Sequence, residues 1–429
     1  MAEKTTDELA LRGAGPGAGK TPGATTLTSL SSKVVHADDH ISAHRAVAPA
    51  MHVSTTFRYD DDPDQLKMWV NTDELDWADM DDAKQPAAPL DSHIYSRDTN
   101  PSATRVEAIL GSILNGPSLT YSSGLSAFHA MLVHLNPRRI AIGDGYHGCH
   151  GVIRVLSRLT GLQQLPLDCD PSELGPGDVV HVETPLNPTG EARNLQHYAD
   201  KAHAAGAYLT VDATFAPPPL QDPFAFGADV VMHSGTKYFG GHSDMLCGVL
   251  AVRPGREEWI RQLRDDRLVL GSVMGSLEGW LGMRSLRTLE LRVTRQSATA
   301  TALVSWLAGE KEAGAASVVG SQIELIQHAS LQPEAADEGS WLRKQMPNGW
   351  GPVFAVWLKD PAAARRLPSK LQLFHHATSL GGVESLIEWR SMTDPNVDPR
   401  LLRVSIGVEG LEDLKQDLQQ GFEALQAAK

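Results

Sequence analysis

Between positions 119 and 232 the hydrophobic residues fall into short apolar runs that alternate with longer segments of helical spacing. The short runs have the length and character of buried strands, whereas segments 125–135 and 194–205 repeat their apolar residues at the period of a helix. Strands that alternate with helices predict a mostly parallel sheet covered on both faces. The predicted strands are 119–121, 139–142, 164–167, 179–182, 208–211 and 230–232.

From residue 276 onward the pattern changes. Segment 277–307 predicts a long helix, segments 353–358 and 402–406 predict strands, and segment 411–425 predicts a closing helix. This pattern is typical of a second, smaller α+β domain. We therefore expect an α/β large domain over residues 93–275 and a C-terminal small domain over residues 276–429.

The N-terminal part of the chain lacks a clear hydrophobic period. Gly, Ala, Thr and Ser dominate residues 1–32, which cannot bury enough apolar surface to become ordered, so we predict a disordered tail there. Residues 33–92 are rich in Asp and contain few periodic stretches. We expect this segment to form an N-terminal arm.

Composition and charge exclude several classes of protein. The chain has 429 residues, a formal net charge of −14 and 41% hydrophobic residues, which is enough for two or three domains but gives no basic surface for nucleic acid. Its three cysteines, Cys149, Cys169 and Cys247, are too sparse for a disulfide framework and favour a reducing compartment. No apolar stretch approaches the roughly 18 residues of a membrane span. We expect a cytoplasmic protein without a signal peptide.

Polar residues follow four of the predicted strands. Ligands of open α/β sheets gather at the carboxyl ends of the strands, so we expect these residues to meet in one site. A glycine turn that opens a helix presents backbone N–H groups to a phosphate, and a lysine among hydroxyl groups suits a Schiff base to a phosphorylated aldehyde. Together with an amide and a carboxylate opposite a pyridine nitrogen, they predict a pyridoxal-phosphate site. The residues are Gly124, Leu125, Asn187, Asp212, Thr214, Ser234, Thr236 and Lys237.

Each of these residues has a plainer interpretation when it is taken alone. Lys237 would suit a surface turn, Asp212 would cap a helix, and Asn187 would form a turn between prolines. The His/Cys cluster at 147–150 raises the separate question of a metal. Zinc ligands usually come as two separated pairs, and no second pair with such spacing follows, so we predict no metal.

Four segments resemble the Cys/Met-metabolism family of pyridoxal-phosphate enzymes, which includes cystathionine γ-synthases, cystathionine lyases and homoserine-ester sulfhydrylases. They are YSRDTNP at 95–101, SGTK at 234–237, SLGG at 379–382 and RVSIG at 403–407. The segments YHGCHGVI and HSGTKYFGGHSDMLCG are similar to fungal proteins described as cystathionine γ-synthase-like. The resemblance extends from about Val53 to Phe422. It implies the aminotransferase-like fold of type I and pyridoxal 5′-phosphate as the cofactor.

The same resemblance implies roles for particular residues. Tyr95 and Arg97 would reach the cofactor phosphate of a neighbouring subunit, which implies a dimer with shared sites, paired into a tetramer. Lys237 would hold the cofactor covalently. Arg403 would bind the substrate carboxylate, and Ser379 would also contact the substrate. The resemblance further assigns the phosphate to Gly124, Leu125, Ser234 and Thr236, the phenolic oxygen to Asn187 and the ring nitrogen to Asp212.

Two positions depart from the family pattern. Aligning the glycine of segment 145–150 puts His147 where the family has a tyrosine over the cofactor ring, whereas a shift of one residue gives that place to Tyr146. Thr378 precedes SLGG, where several γ-acting members carry a glutamate that helps to select the amino group of a second substrate. This second departure weakens the prediction that free cysteine is the nucleophile.

The candidate residues predict an enzyme that acts on small amino acids. Lys237 would be the base that removes the α-proton, Asp212 would keep the ring nitrogen protonated, and His147 would relay protons. The favoured reaction is γ-replacement on O-acetyl- or O-succinyl-L-homoserine by cysteine or another thiol, as in transsulfuration. The alternatives are a lyase that splits cystathionine, a secondary-metabolism enzyme with a carbon or nitrogen nucleophile, and a binding protein without catalysis.

Overall fold

The computed structural model describes residues 27–41, 46–59, 61–65 and 93–427. Most of the predicted tail and much of the predicted arm therefore lie outside the described residues. Helix α1 (Leu30–His36) begins within the predicted tail, where the Ser29 hydroxyl caps it by accepting a hydrogen bond from the Ser32 backbone. Val34 of α1 is buried against the main core.

The first sheet has seven strands in the order β1-β7-β6-β5-β4-β2-β3. The pairs β2–β3, β2–β4, β4–β5 and β5–β6 are parallel, and β7 runs antiparallel to both β1 and β6. The predicted, mostly parallel sheet is confirmed. Its strands are β1 (Ser118–Tyr121), β2 (Arg139–Ile142), β3 (Gln163–Pro166), β4 (Val179–Glu183), β5 (Tyr208–Asp212), β6 (Val230–Ser234) and β7 (Gly248–Val252).

Helices cover both faces of this sheet. Since successive side chains of a strand point to opposite faces, each strand contributes residues to two cores. Ile140 and Ile142 of β2 lie in one core with Phe128, whereas Ala141 lies in a second core with Leu195. Helices α3, α4 and α6 cover the first face, and α2, α5 and α7 cover the second. Their bounds are α2 (Pro101–Ile113), α3 (Gly124–Leu135), α4 (His147–Thr160), α5 (Leu195–Ala204), α6 (Glu257–Leu270) and α7 (Ser276–Leu286).

The second sheet has five strands in the order β10-β11-β12-β9-β8. It shares a separate core with α8, which contributes Leu303, and with α11, which contributes Phe422. Since α8 also places Leu289 and Val293 in the core of the first sheet, this helix connects the two parts of the molecule. The bounds are α8 (Leu289–Ala313), β8 (Ile323–Gln327), α9 (Trp341–Gln345), β9 (Val353–Leu358), α10 (Pro361–Arg366), β10 (His375–His376), β11 (Leu386–Trp389), β12 (Leu401–Ser405) and α11 (Leu411–Ala427).

The predicted helical stretch over 277–307 is helical in the structure but is divided into two helices, α7 and α8, which part at Arg287 and Thr288. Arg287 donates hydrogen bonds to the Val34 carbonyl and to the fully buried Asp38. These partners lie far away in the sequence, so local spacing does not reveal them. None of the helices in the described ranges combines the length and apolar character that crossing a bilayer requires.

Candidate active site

A cavity of about 500 Å³ lies at the carboxyl ends of the parallel strands, between the first sheet and the start of the second. Most residues predicted from the sequence line it. Of the predicted residues, Tyr95 and Arg97 do not belong to the lining of this cavity. The predicted residues that line it are Gly124, Leu125, His147, Asn187, Asp212, Thr214, Ser234, Thr236, Lys237, Ser379 and Arg403.

The N-terminus of α3 and the loop after β6 form one end of the cavity. Helix α3 begins at Gly124, directly after the turn that follows β1, and its first backbone N–H groups carry the positive end of the helix dipole. A Cβ on Gly124 would lie 3.1 Å from Cβ of Ser234, so glycine permits this close approach. Ser234 and Thr236, which also line the cavity, add hydroxyl groups beside this helix N-terminus. This donor set fits a phosphate group.

Asp212 ends β5 at the floor of the cavity. Its Oδ1 accepts hydrogen bonds from the backbone N and the hydroxyl of Thr214, at 3.0 and 2.5 Å. The Thr214 hydroxyl in turn accepts from the Ser234 backbone N at 2.8 Å, which ties β5 to β6. Burial raises the pKa of Asp212, although the bonds from Thr214 and the charge of Lys237 oppose the rise. Such a buried carboxylate fits a cationic partner, and Asp212 would hold the protonated ring nitrogen of a bound cofactor.

Lys237 lies in the turn after β6 and points towards the second sheet. Its Nζ donates a hydrogen bond to the Ser379 hydroxyl at 2.7 Å. Burial, aided by the nearby Arg403 guanidinium, lowers the pKa of Lys237 to about 8. Gly381 permits this arrangement, because its φ is +83° and a Cβ there would lie 2.8 Å from the Tyr238 backbone N. The geometry therefore presents an amine that loses its proton easily.

Arg403 of β12 reaches from the second sheet into the cavity. Its guanidinium donates to Asn187 Oδ1 at 3.2 Å and to the Ser379 carbonyl at 2.9 Å, and it forms an ion pair of 2.6 Å with Glu388 Oε2. Burial lowers the pKa of Arg403 to about 10, although the charge of Glu388 opposes this effect. Arginine remains a cation at neutral pH, and its planar fork matches a carboxylate.

Glu183 is a functional candidate that the sequence reasoning missed. Its two carboxylate oxygens accept hydrogen bonds from the Tyr146 and Asn187 backbone N atoms, each at 2.7 Å, and so hold two loops of the cavity together. Burial raises the pKa of Glu183 to about 8, and the neighbouring Asp212 adds to the shift. The feature that could have identified Glu183 is its place at the end of a strand, since it ends β4 directly opposite Asp212 on β5.

Tyr146 and His147 both line the cavity at the start of α4. Their ring centroids lie 5.0 Å apart and their planes are tilted by 53°. Tyr146 is 40% exposed, and partial burial raises its pKa. Since both rings border the same space, the assignment of the stacking role to His147 stays a prediction.

Tyr95 and Arg97 lie in the segment before α2. Arg97 donates a hydrogen bond to the Leu268 carbonyl at 2.6 Å, and its guanidinium lies 5.5 Å from the Tyr95 ring centroid. Tyr95 is 44% exposed. Their predicted service to the site of a neighbouring subunit stays a prediction.

Two further features of the cavity concern residues outside the predicted set. Arg390 and Thr393 line it next to Arg403, and the spacing of the sequence carried no signal for either of them. Cys149 is buried in the cavity wall, where burial raises the pKa of its thiol.

Within residues 27–41, 46–59, 61–65 and 93–427, no group of three His, Cys, Asp or Glu side chains has a geometry that could hold a metal ion.

Phosphate cradle, buried carboxylate, lysine and arginine lie around one cavity on a doubly covered sheet, which defines a pyridoxal-phosphate enzyme of fold type I. The sequence profile of the Cys/Met metabolism PLP-dependent enzyme family matches residues 31–423. The chain belongs to this family, and its cofactor is pyridoxal 5′-phosphate.

Relatives named as lyases and relatives named as synthases both belong to this family. A cystathionine gamma-lyase from Saccharomyces cerevisiae is 29% identical over 418 residues, which cover 92% of this chain and 97% of the relative. A cystathionine gamma-synthase from Mycobacterium bovis is 33% identical and covers 76% of this chain and 86% of the relative. The structure of cystathionine gamma synthase from Xanthomonas oryzae pv. oryzae in complex with aminoacrylate and cysteine matches with a TM-score of 0.78 and 26% identity, covering 94% of this chain and all 100% of the other.

The first prediction concerns Lys237. We expect the purified protein to be yellow and borohydride reduction to link the cofactor permanently to Lys237, as peptide mass spectrometry would show. Lys237→Ala should lose both the covalent link and turnover, because among the described residues no other lysine lines the cavity. Lys415→Ala, at an exposed Lys415–Glu412 pair on α11, is the matched control and should keep both. Normal turnover in Lys237→Ala would refute the assignment.

The second prediction separates His147 from Tyr146. A histidine has a smaller π-face than tyrosine and an unperturbed pKa near 6.5 rather than near 10, so it stacks more weakly but relays protons near neutral pH. His147→Ala should weaken cofactor retention and cut turnover sharply, and His147→Tyr should keep the cofactor and move the pH–rate profile upward. Tyr146→Phe should have little effect. A silent His147→Ala together with an inactive Tyr146→Phe would assign the role to Tyr146.

Proposed function

We propose that the protein catalyses γ-replacement on an O-acylated L-homoserine, with cysteine or another thiol as the nucleophile. The observation that carries the proposal is that Ser379 contacts both groups: its hydroxyl accepts a hydrogen bond from Lys237 Nζ at 2.7 Å, and its carbonyl accepts one from Arg403, the proposed carboxylate anchor, at 2.9 Å. A base and a carboxylate anchor therefore act on the same amino acid. A synthase from Mycobacterium bovis is the relative that supports replacement, and the lyases among the relatives keep cleavage as the second candidate.

Lys237 moves the protons of the proposed reaction. Bound pyridoxal phosphate stabilises negative charge at the α-carbon of an amino acid. With a pKa lowered to about 8, the Lys237 amine is deprotonated in a useful fraction of molecules near neutral pH and can accept the α-proton. Its hydrogen bond to the Ser379 hydroxyl directs Nζ to one side of the cavity. γ-Elimination also needs a proton removed from the β-carbon, and the same amine is the base for that step.

Arg403 and Asn187 orient the substrate. The Arg403 fork binds the substrate carboxylate by charge-assisted hydrogen bonds, and its contacts with Asn187 and the Ser379 carbonyl prevent the guanidinium from turning away. A fixed carboxylate determines which bond at the α-carbon faces Lys237. Orientation of this kind contributes to rate without any change in the reacting groups.

A cystathionine lyase is the second candidate, because the Saccharomyces cerevisiae relative carries that name and the same base and anchor would serve cleavage. A different nucleophile is the third, because Thr378 borders the cavity where a glutamate would help to select an amino group. The candidates differ in what happens to the unsaturated carbon chain that remains after the leaving group departs. Addition of a nucleophile to this chain gives replacement, whereas its hydrolysis gives a keto acid and ammonia.

The third prediction tests these reactions directly. Wild-type holoenzyme should convert O-acetyl- or O-succinylhomoserine with cysteine to cystathionine, detected by mass spectrometry. Cystathionine offered alone should be cleaved far more slowly. Lys237→Ala is the negative control. Faster cleavage of cystathionine than its synthesis would favour the lyase, and consumption of the ester without incorporation of cysteine would favour another nucleophile.

The proposed assembly is a dimer that shares its active sites, paired into a tetramer. Tyr95 and Arg97 lie away from the cavity of their own chain and are accessible at the start of the large domain. Among the described residues, the arginines that line the cavity are Arg390 and Arg403, so the arginine that the family resemblance assigns to the phosphate would come from another subunit.

The fourth prediction is therefore complementation between inactive variants. Arg97→Ala and Lys237→Ala should each be inactive alone, and co-refolded mixtures should regain activity, because one of the hybrid sites contains both native residues. Native mass spectrometry would verify that hybrids form. Asp212→Ala mixed with Lys237→Ala controls for nonspecific rescue, because both residues line the cavity of the same chain and no hybrid site contains both native residues. Hybrids without any activity would contradict shared sites.

A further inference from the structure

We propose that Arg390 is a second anion-binding residue of the cavity, which takes a second carboxylate in addition to the one that Arg403 binds. This inference rests on the proposed function, because it assigns the remaining anionic group of that reaction's substrates. The carboxylate belongs either to a succinyl leaving group or to the cysteine nucleophile, and the shared chemistry is a carboxylate held by a guanidinium.

Arg390 is placed by its backbone at the border of the cavity. It follows β11 and opens a short 3₁₀ turn (Arg390–Met392), with Thr393 lining the cavity just beyond. The residue is only 5% exposed, so its charge is held inside the protein. A buried charge is costly unless it is paired, and an arginine that borders an open cavity has a ligand as its remaining partner.

The hydrogen bonds of Arg390 leave part of its guanidinium unused. Nη1 donates to Glu388 Oε2 at 2.9 Å, whereas Nε is buried and has no hydrogen-bond partner among the described residues. Nε and the adjacent Nη2 form the edge of the fork that binds a carboxylate side-on. A carboxylate on this edge would satisfy the orphaned donor, whose desolvation is otherwise uncompensated.

Glu388 holds the two arginines in a fixed relation. Its Oε2 accepts from both Arg403 and Arg390, and its Oε1 accepts from the Thr393 hydroxyl at 2.9 Å. Glu388 lies directly opposite Arg403 in the β11–β12 register, so the sheet itself fixes this geometry. The Glu388 carboxylate thus orients both guanidinium groups but occupies only some of their N–H donors. Each guanidinium therefore keeps donors for a ligand.

The first experiment measures binding rather than turnover. L-2-Aminoadipate and L-2-aminopimelate carry a second carboxylate, L-norleucine does not, and none of them has a leaving group. Calorimetric titration of the wild-type holoenzyme should show a dissociation constant about tenfold or more lower for one of the dicarboxylic probes than for norleucine, the factor expected of one charge-assisted bond. Arg390→Met should abolish this ratio, and Arg390→Lys should keep part of it.

The matched control is Arg365→Met. Arg365 is exposed on α10, and its guanidinium lies 5.6 Å from the ring of Trp389, the neighbour of Arg390 in the chain. This variant removes an arginine from the same region without touching the cavity lining, so the preference for a dicarboxylic probe should remain. Melting temperatures would confirm that each variant is folded, and Arg390→Lys carries the test if Arg390→Met is not.

A kinetic experiment then identifies the source of the carboxylate. The ratio of kcat/KM for O-succinylhomoserine to that for O-acetylhomoserine, and the ratio for cysteine to that for cysteamine, are measured in wild type and Arg390→Met. A loss of about tenfold or more confined to the first ratio places the carboxylate on the leaving group, and one confined to the second places it on the nucleophile.

Two results would overturn the proposal. One is a wild-type enzyme without preference for a dicarboxylic probe. The other is an equal loss of norleucine and aminoadipate binding in Arg390→Met, which would mean that Arg390 only supports Arg403. If no homoserine ester is turned over while the Arg390-dependent preference remains, the proposed reaction fails and the second anion site stands.

Discussion

The Arg403 guanidinium joins the two sheets, and the active site depends on this contact. It extends from β12 of the second sheet, bonds to Asn187 at the edge of the first, and holds the Ser379 carbonyl beside Lys237. Glu388 fixes it from the neighbouring strand. Together with the hydrogen bond from Lys237 to Ser379, this contact brings the proposed base and the proposed carboxylate anchor to the same cavity.

Burial gives the groups around this contact their chemical properties. Removing charges from water lowers the pKa of Lys237 and raises the pKa values of Asp212 and Glu183. The amine becomes a base near neutral pH, and the buried carboxylates require cationic or N–H partners. Glu183 accepts hydrogen bonds from two backbone N–H groups, and Asp212 lines the cavity, where it would pair with a ring nitrogen. One physical effect therefore shifts the pKa values of both the amine that we propose as the base and the carboxylate that we propose as the partner of the ring nitrogen.

Local pattern was sufficient for the strands that are buried on both faces. Strands β4, β5 and β6 carry mostly apolar runs and appear within two residues of their predicted ends. The antiparallel β7 and the separation of α7 from α8 were not predicted. Strand direction depends on how the connection returns, and the helix boundary coincides with the contact of Arg287 with Asp38, so neither is encoded by the spacing of nearby residues.

The sequence by itself determined the class of chemistry, because the ends of parallel strands meet at one edge of a sheet and their residues can be read in order. Gly124, Asp212 and Lys237 were identified for this reason, and the family matches the resemblance. Only the tertiary structure brought Glu183 and Arg390 to the same cavity and paired Glu388 with Arg390 and Arg403. Their significance arises from register across strands and from the approach of two sheets, which are long-range geometric relations that no local spacing of residues contains.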